Sequence, residues 1–167
     1  YGGVMNIFAL DKCPMQSAQW LDDIRKNKMI LESAQMLSTA VRVLCPDTDL
    51  PVYKVAYLNH PCTIWARQSR DNFKWLLSHM SHLFLQKDGL HKSANLLTDF
   101  QKYADSGYFP SEDLTPFANC ARNLERGVDY SDHPDVHEAY RMYMNDRWKE
   151  NNITLTWRWG REPEWRN

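Results

Sequence analysis

The feature that most constrains this chain is a long stretch without glycine or proline, which runs from Met15 to Leu44. Leucine, methionine, alanine, glutamine, glutamate and lysine dominate the stretch, and all of them have high helix propensity. Pro46 comes just after it and disfavours continuation of a helix. The sequence therefore predicts one long helix that ends before Pro46, with Asp22-Asp23 as the candidate break point.

Prolines and glycines divide the rest of the chain into further helical segments. Pro61 suits the first turn of a helix, where the N–H that proline lacks is not needed. Asp88-Gly89 is typical of the end of a helix. The segment 109–129 is ambiguous, with a short helix over 116–124 as one alternative. We predict helices over 61–86, 91–103 and 134–151.

The sequence shows no internal repeat, low-complexity stretch or linker, so nothing in it separates two domains. A chain of 167 residues is long enough to bury a sizeable core in one unit. Met5 follows residues 1–4, so we interpret these four residues as an addition made for expression. We expect one compact all-α domain over residues 5–167. The tail from Ile153 to Asn167 is rich in tryptophan, so we expect it to pack back on this domain.

Composition and missing motifs exclude several classes of protein. An apolar fraction of 43% with 13% aromatic residues excludes wholesale disorder. The formal net charge of −1 is not that of a strongly basic domain, so binding to nucleic acid needs a local patch. Walker, G-x-G-x-x-G and G-x-S-x-G motifs are missing, which argues against ATPases, dinucleotide enzymes and α/β-hydrolases. The four cysteines lack C-x-x-C spacing and indicate reduced thiols in a cytoplasmic protein.

A line of polar residues runs along the predicted first helix. At about 100° per residue, Arg25, Lys28, Glu32 and Gln35 share one stripe, which apolar residues border on both sides. Charges on such a face are costly unless paired, so the stripe predicts an ionic network or the lining of a cavity. Lys28 and Glu32 have i,i+4 spacing, so each can tune the pKa of the other. A solvated face with scattered methionines is the alternative.

The predicted second helix carries a comparable arc beside its apolar face. Asn72 and Trp75 lie on this arc together with two histidines, and Trp65 lies near its edge. Indoles and amides suit a half-buried wall that stacks on a flat ligand and hydrogen-bonds it. An indole-rich minor core with exposed histidines is the alternative.

Asn59-His60-Pro61 comes just before this second helix. Imidazole titrates near neutrality, so His60 is a candidate acid or base, with a helix cap as the alternative. Two histidine pairs have the helical spacing of metal ligands, but the sequence pattern supplies no third ligand for either pair. We therefore expect no metal and no other cofactor. The pairs are His79 with His82 and His133 with His137.

The tail holds the most concentrated positive charge, because arginines alternate there with tryptophans. Guanidinium and indole groups together favour contact with phosphate and stacking on bases, which makes Arg161 a candidate substrate contact. The alternative is an aromatic plug, in which the tryptophans cover the helical core and the arginines lie on them. The sequence does not favour one interpretation over the other.

Two motifs resemble those of bacterial and viral pyrimidine-dimer DNA glycosylase-like proteins, which are remote relatives of the phage endonuclease V type of repair enzyme. The motifs are L-D-D-x-R-x-x-K-x-x-x-E-x-x-Q-x-L over residues 21–37, and Asn59-His60-Pro61 followed by Trp65. More of the chain resembles small uncharacterised proteins of phages and large DNA viruses. That wider pattern covers residues 5–11 and 28–35 and the tail motif Arg161-x-Pro163-x-Trp165.

The remote resemblance implies an all-α enzyme that removes a damaged base and nicks the strand. In that chemistry an amine attacks the sugar C1′ and forms a Schiff base, while a carboxylate stabilises charge and moves protons. Carried over to this chain, the resemblance makes Glu32 the carboxylate and Arg25 a contact to phosphate or substrate. Lys28 is the amine available near Glu32, and its pKa would need to be lowered.

Two hypotheses follow, and both place the protein in the host cytoplasm without a membrane. The first is a phage-type enzyme directed at DNA or a nucleotide and acting at a base or glycosidic bond, with Glu32, Lys28 and His60 catalytic. The second is a non-catalytic phage protein that binds a nucleotide or inhibits a host protein, which the near-zero net charge favours. The enzyme's expected substrate contacts are Arg25, Gln35, Asn59, Trp65, Asn72, Trp75 and Arg161.

Overall fold

The computed structural model describes residues 5–86, 91–150 and 154–167. Within these ranges the chain forms six α-helices and one very short antiparallel hairpin, which confirms the predicted all-α class. The predicted remnant at 1–4 and the predicted helix stop at Asp88-Gly89 lie outside the described residues. The elements are α1 (Pro14–Trp20), α2 (Asp23–Leu44), α3 (Pro61–Gln68), α4 (Arg70–Leu85), α5 (Leu97–Ser106), β1 (Arg122–Asn123), β2 (Val128–Asp129) and α6 (Val136–Glu150).

The long helix predicted from Met15 is interrupted at the candidate break point. Leu21 and Asp22 both have extended backbone, and the Asp22 carboxylate caps α2 by accepting a hydrogen bond from the Arg25 amide at 3.4 Å. Aspartate favours N-cap positions because its side chain satisfies amides that the first helical turn leaves free. α1 and α2 are therefore separate helices, and Asp22 lies fully buried at their junction.

The prediction of a single helix over 61–86 is wrong, because Ser69 divides this segment into α3 and α4. Ser69 is extended, and its hydroxyl accepts a hydrogen bond from the Asn72 amide at 3.0 Å, which caps α4. Arg70 then donates to the carbonyls of Ala104 at 2.7 Å and Gly107 at 3.0 Å, at the end of α5. Serine capping outweighs helix propensity here, since the turn that it permits lets α4 dock on α5.

The chain between α5 and α6 holds β1, a 3₁₀ turn at Leu124–Arg126 and β2 but no α-helix, so the short helix considered over 116–124 is absent. Its first part, residues 107–121, has no regular secondary structure, and we call it the extended segment. Side chains from other elements satisfy its backbone instead. Asn72 Oδ1 accepts a hydrogen bond from the Thr115 amide at 2.9 Å, and the Tyr140 hydroxyl accepts one from the Cys120 amide at 3.0 Å. Buried backbone groups need such partners, and the partners here are far away in sequence.

The remaining predicted helices are present with shifted ends. His91 caps a short 3₁₀ turn by accepting a hydrogen bond from the Ser93 amide at 3.0 Å, and α5 follows this turn.

α2 packs against α3 and α4, and α4 also packs against α1 and α5, so the core lies around α2 and α4. None of the described helices has the length and apolar character needed to cross a membrane.

The tail packs on the helices, as its aromatic content predicted. The Trp157 indole N–H donates to the Trp20 carbonyl at 2.8 Å, and the Trp165 ring stacks on Trp148 of α6 with centroids 5.5 Å apart. The Arg161 amide donates to the carbonyl of Gln19 at 2.9 Å. Aromatic and main-chain contacts therefore fix the tail across α1 and α6, which is the aromatic plug that was one of the two alternatives.

Replacing Gly160 by alanine is expected to loosen this tail. A Cβ at Gly160 would lie 2.4 Å from the Gln19 carbonyl oxygen and 2.5 Å from Lys26 Nζ, and the backbone oxygen cannot move away freely. We expect a loss of about 1 to 3 kcal/mol in the free energy of unfolding, measured by urea denaturation, with faster proteolysis of the tail. Thr154→Ala, at an exposed tail position, is the control. Equal urea midpoints for Gly160→Ala and the wild type would show that the added Cβ does not clash with the Gln19 carbonyl oxygen.

Candidate functional site

The N-terminal segment from Met5 to Leu10 is buried although it forms no regular secondary structure. At Phe8 its backbone is left-handed, with a φ of 36°, which is uncommon for a residue that carries a side chain. Asn6 Oδ1 accepts a hydrogen bond from the Phe8 amide at 3.0 Å, and the Ser17 hydroxyl donates to the Phe8 carbonyl at 2.9 Å. Strain of this kind persists only where surrounding contacts hold it, and it is concentrated at functional sites.

Glu32 of α2 meets this segment inside the protein. The Asn6 amide donates to Glu32 Oε1 at 3.2 Å, and Glu32 is only 8% exposed. Burial raises the pKa of Glu32 to about 7, although the charge of Lys28 and the hydrogen bond from Asn6 both act to lower it. At neutral pH this carboxyl group is therefore divided between its protonated and ionised forms, as a general acid or base requires.

Two buried thiols lie on the other side of Asn6. Cys62 at the start of α3 and Cys120 in the extended segment have their sulfur atoms 3.1 Å apart, and both are free thiols. His60 precedes α3 and caps it, because its Nδ1 accepts a hydrogen bond from the Cys62 amide at 3.1 Å. One nitrogen of His60 and the two sulfur atoms all lie within 4.8 Å of one another.

Asn6 connects the carboxyl group to the thiols. Its side-chain amide donates to the Cys120 carbonyl at 3.1 Å, while its backbone amide contacts Glu32. The Tyr140 hydroxyl of α6 accepts from the Cys120 amide and donates to the Ala118 carbonyl at 2.6 Å, which fixes the Cys120 side of this arrangement. We call the set the Asn6 cluster, and its members are Asn6, Glu32, His60, Cys62, Cys120 and Tyr140.

The electrostatics of the cluster differ from group to group. Burial lowers the pKa of His60, and the charge of Arg122 lowers it further. The hydrogen bond from Cys62 lowers the pKa of Cys120, whereas burial raises the pKa of Cys62 well above its usual value. His60 is therefore a neutral base near pH 7, and Cys120 is the thiol more easily ionised.

Arg25, Lys28 and Glu32 do not form the ionic network that was one alternative for this stripe, the lining of a cavity being the other. Arg25 is buried, but it pairs with Asp22 at 3.1 Å, and Glu32 is held by Asn6 instead. Lys28 is exposed and acts on Glu32 only through its charge. The long lysine side chain reaches solvent, whereas the N-terminal segment covers Glu32 and bonds to it.

The expected half-buried ligand wall on the second helix is part of the core. Trp65 and Trp75 are 2% and 6% exposed and pack edge to face with centroids 5.9 Å apart. The Trp75 indole N–H donates to the Lys12 carbonyl at 2.7 Å. Asn72 is fully buried and donates to the Trp65 carbonyl and to the Thr115 hydroxyl. The alternative of an indole-rich minor core is the correct one, because tertiary contacts close over this arc.

Of the two histidines on this arc, His79 is buried and His82 is half-buried, so the exposed histidines of that alternative are not observed. His79 lies with Nδ1 3.2 Å from the Pro14 carbonyl oxygen and stacks on Trp75. Burial lowers the pKa of His79 to about 4. This side chain therefore remains neutral in the folded protein under physiological conditions.

The remaining predicted contacts lie at the surface. Asn59 is exposed just before His60, Gln35 is half-buried on α2, and the side chain of Arg161 is exposed on the tail. Nothing in the fold rules these groups out as contacts to a substrate, and their roles stay predictions.

Sequence analysis did not single out Asn6, Cys62, Cys120 or Tyr140. The spacing of His60 and Cys62 could have drawn attention to Cys62, since residues flanking Pro61 at the start of a helix lie close together. Cys120 is 58 residues further along, and no pattern in the chain connects the two thiols. Their meeting depends on the path of the extended segment, which the sequence did not predict.

Comparison with known proteins adds no relative to this description. No protein-family model, no curated protein and no solved structure matches the chain. The resemblance to glycosylase-like and phage proteins therefore rests on the motifs alone, and what it implies is a prediction.

Proposed function

We propose that the protein is an enzyme acting on DNA or a nucleotide at a base or glycosidic bond. The observation that carries the proposal is the buried carboxyl group of Glu32, whose pKa lies near 7 and which the Asn6 amide holds in place. A carboxyl group with this pKa is a suitable proton donor to a leaving base, because it is protonated in much of the protein at neutral pH. The motif around Glu32 resembles one of glycosylase-like and phage proteins, and this resemblance supports the same assignment.

The role of Glu32 follows from what cleavage of a glycosidic bond demands. The leaving base takes the electrons of the C1′–N bond and needs a proton, while C1′ becomes electron-deficient. A protonated carboxyl group supplies the proton, and the carboxylate that remains stabilises the positive charge at C1′. A buried carboxylate does this more effectively than one in water, because the surrounding dielectric is low.

Lys28 is the proposed nucleophile. It lies one helical turn before Glu32 on α2 and is exposed, so its amine can meet a substrate at the surface. The amine nitrogen forms a bond to C1′ as the bond from C1′ to the base breaks. Loss of a proton and opening of the C1′–O bond of the sugar ring then give a Schiff base.

Other residues fit supporting roles in the same reaction. His60, with its lowered pKa, is a neutral base that can accept the proton lost by the amine. Asn59 and Gln35 offer amide groups at or near the surface for contacts to the sugar or phosphate. Arg25 forms an ion pair with Asp22, so its proposed contact with phosphate requires this ion pair to break.

The test compares the wild type with Glu32→Gln on duplex DNA that contains ultraviolet damage or an abasic site. We expect release of the base or cleavage of the strand to fall at least tenfold in Glu32→Gln, because the amide can neither donate a carboxyl proton nor carry the charge. Glu125→Gln makes the same chemical change at an exposed position and should keep full activity. Borohydride should trap a covalent complex with the wild type but not with Lys28→Gln.

Equal activity of the wild type and Glu32→Gln would remove the assigned role of Glu32. Cleavage that depends on Glu32 without trapping by borohydride would keep the carboxyl group and replace Lys28 with water as the nucleophile.

The alternative is a non-catalytic protein that inhibits a host protein or binds a nucleotide. It is favoured by the loop before His60, where three large apolar side chains are between 40% and 46% exposed. Exposed apolar groups close together in sequence suit contact with another protein. Calorimetric titration with mononucleotides and oligonucleotides distinguishes the two functions, since tight binding without turnover supports the alternative. The three side chains are those of Val55, Tyr57 and Leu58.

A further inference from the structure

Three metal-ligating side chains meet beside Asn6, and the proposed function uses only one of them. Cys62 and Cys120 are buried with their sulfur atoms 3.1 Å apart, and a nitrogen of His60 lies within 4.8 Å of both. Among the described residues no other group of three such side chains comes together. Two sulfur ligands and one imidazole form a donor set typical of zinc sites.

We propose that His60, Cys62 and Cys120 bind a thiophilic divalent cation of the Zn²⁺ type. Two thiolates neutralise the charge of the cation, and their binding releases the two thiol protons to solvent. Two sulfurs and one nitrogen occupy three positions of a tetrahedron, so the fourth is left for water or another small ligand. His60 is half-buried, which gives the cation access from the surface.

The surroundings hold the ligands in the way that metal sites require. The Tyr140 hydroxyl accepts from the Cys120 amide, and Asn6 donates to the Cys120 carbonyl, so the backbone that carries this sulfur is fixed. His60 Nδ1 accepts a hydrogen bond from the Cys62 amide, and binding of the cation costs this bond because a neutral imidazole has one ring lone pair to offer, whereas the two contacts to Cys120 remain. Contacts of this kind orient metal ligands and raise the affinity of a site.

The proposal shares His60 with the proposed glycosidic chemistry, and a cation on His60 would occupy the lone pair that the proposed proton transfer uses. It does not involve Glu32, so loss of Co²⁺ binding and loss of Glu32-dependent cleavage are separate results. It departs from the sequence-based expectation of no metal, which was based on the histidine pairs and did not consider these two cysteines. The histidine pairs considered from the sequence are engaged differently, since His79 contacts the Pro14 carbonyl and His137 the Ala9 carbonyl.

The experiment uses the full chain with Cys13→Ser and Cys45→Ser, which removes the two thiols outside the Asn6 cluster. The probe is Co²⁺, added to reduced and metal-free protein without oxygen. We expect one Co²⁺ per chain, with strong sulfur-to-cobalt charge-transfer absorption and the visible bands of tetrahedral cobalt. Zn²⁺ should displace the Co²⁺, and saturating Zn²⁺ should raise the unfolding temperature by roughly 5 °C or more, whereas Mg²⁺ should not.

Further variants assign the ligands. Cys62→Ser, Cys120→Ser and His60→Asn, each in the same background, should weaken Co²⁺ binding at least tenfold, and circular dichroism shows whether each variant is folded. If a variant fails to fold, the intensity of the charge-transfer band in the background protein still reports how many thiolates bind cobalt. A thiol titration of that protein should lose two reactive groups when Zn²⁺ is bound.

Three results would overturn the proposal. One is the absence of the charge-transfer band, and another is Co²⁺ binding that survives loss of both cysteines. The third is a reduced protein that does not bind Zn²⁺ but forms a disulfide between Cys62 and Cys120 in air. The two thiols would then be a redox couple rather than part of a metal site.

Discussion

Replacing Asp22 by alanine is expected to lower the free energy of unfolding by about 3 to 5 kcal/mol. Asp22 is fully buried, accepts hydrogen bonds from Arg25 Nη1 at 3.1 Å, and accepts another from the Trp148 indole N–H at 2.9 Å. Its removal leaves the Arg25 guanidinium buried at 7% exposure without its carboxylate and takes away the cap of α2. An unpaired buried charge costs far more than the net value of the pair, so this is the largest effect of a single substitution that we predict.

Urea denaturation of matched variants separates the charge from the cap. Asp22→Asn keeps an acceptor for Trp148 but loses the charge, so it should lie between the wild type and Asp22→Ala. Removing the charge that was left unpaired, in Asp22→Ala with Arg25→Met, should recover part of the loss. Asp132→Ala, at an exposed position, is the control and should change stability little. A loss below 1 kcal/mol for Asp22→Ala would show that solvent reaches Arg25.

Glu32→Gln is expected to stabilise the protein above pH 7 although it removes the proposed activity. The pKa of Glu32 is about 7 in the folded state and near 4.5 as its usual value, so between these pH values the folded state binds the proton more tightly. The wild type therefore loses stability as pH rises from 4.5 to 7, by about 3 kcal/mol in total. Glutamine does not titrate and avoids this loss, so the variant should be more stable at pH 8.

The measurement is the difference in unfolding free energy between Glu32→Gln and the wild type from pH 4 to pH 8. A difference is needed because His79, with its pKa lowered to about 4, contributes the opposite slope below pH 6.5 in both proteins. Glu125→Gln should give a flat difference curve. A flat curve for Glu32→Gln would mean that Glu32 titrates at its ordinary pKa and is accessible to water.

Gain of stability with loss of activity would be the signature of a group kept for function. Burying a carboxyl group costs free energy, and residues that serve only the fold avoid that cost. The two measurements on Glu32→Gln therefore support each other, since a purely structural carboxylate would not give both results.

Local signals in the sequence were sufficient for the helical class and for the break at Asp22. A capping aspartate and a proline after Cys45 act on their immediate neighbours, so a sequence displays them directly. Ser69 carries the same kind of signal, but a serine inside a helical pattern is common, and its effect depends on whether α4 can dock on α5. The extended segment through Cys120 could not be predicted, because Tyr140 and Asn72 supply its hydrogen bonds from other elements.

The residues of the candidate site show the same difference between local sequence signals and tertiary contacts. Glu32 stood out because a charge on an apolar helix face has few explanations, but periodicity alone did not determine its burial, since Lys28 on the same stripe is exposed. Trp65 and Trp75 carry the same kind of pattern but are core, since spacing on one helix does not show which face another element covers. Cys62 and Cys120 could not be connected, because the contact between them depends on the whole tertiary structure.

Residues 5–10 are held in place by contacts from the second half of the chain, which has a consequence for how the protein is made. Asn6 bonds to Cys120, and the Leu10 carbonyl accepts from Arg141, across separations of 114 and 131 residues. During synthesis these early residues leave the ribosome long before their partners exist, so their apolar side chains remain open to chaperones and to aggregation. This part of the core cannot close until α6 has been made, so a shortened chain that ends before α6 should not reach the native state.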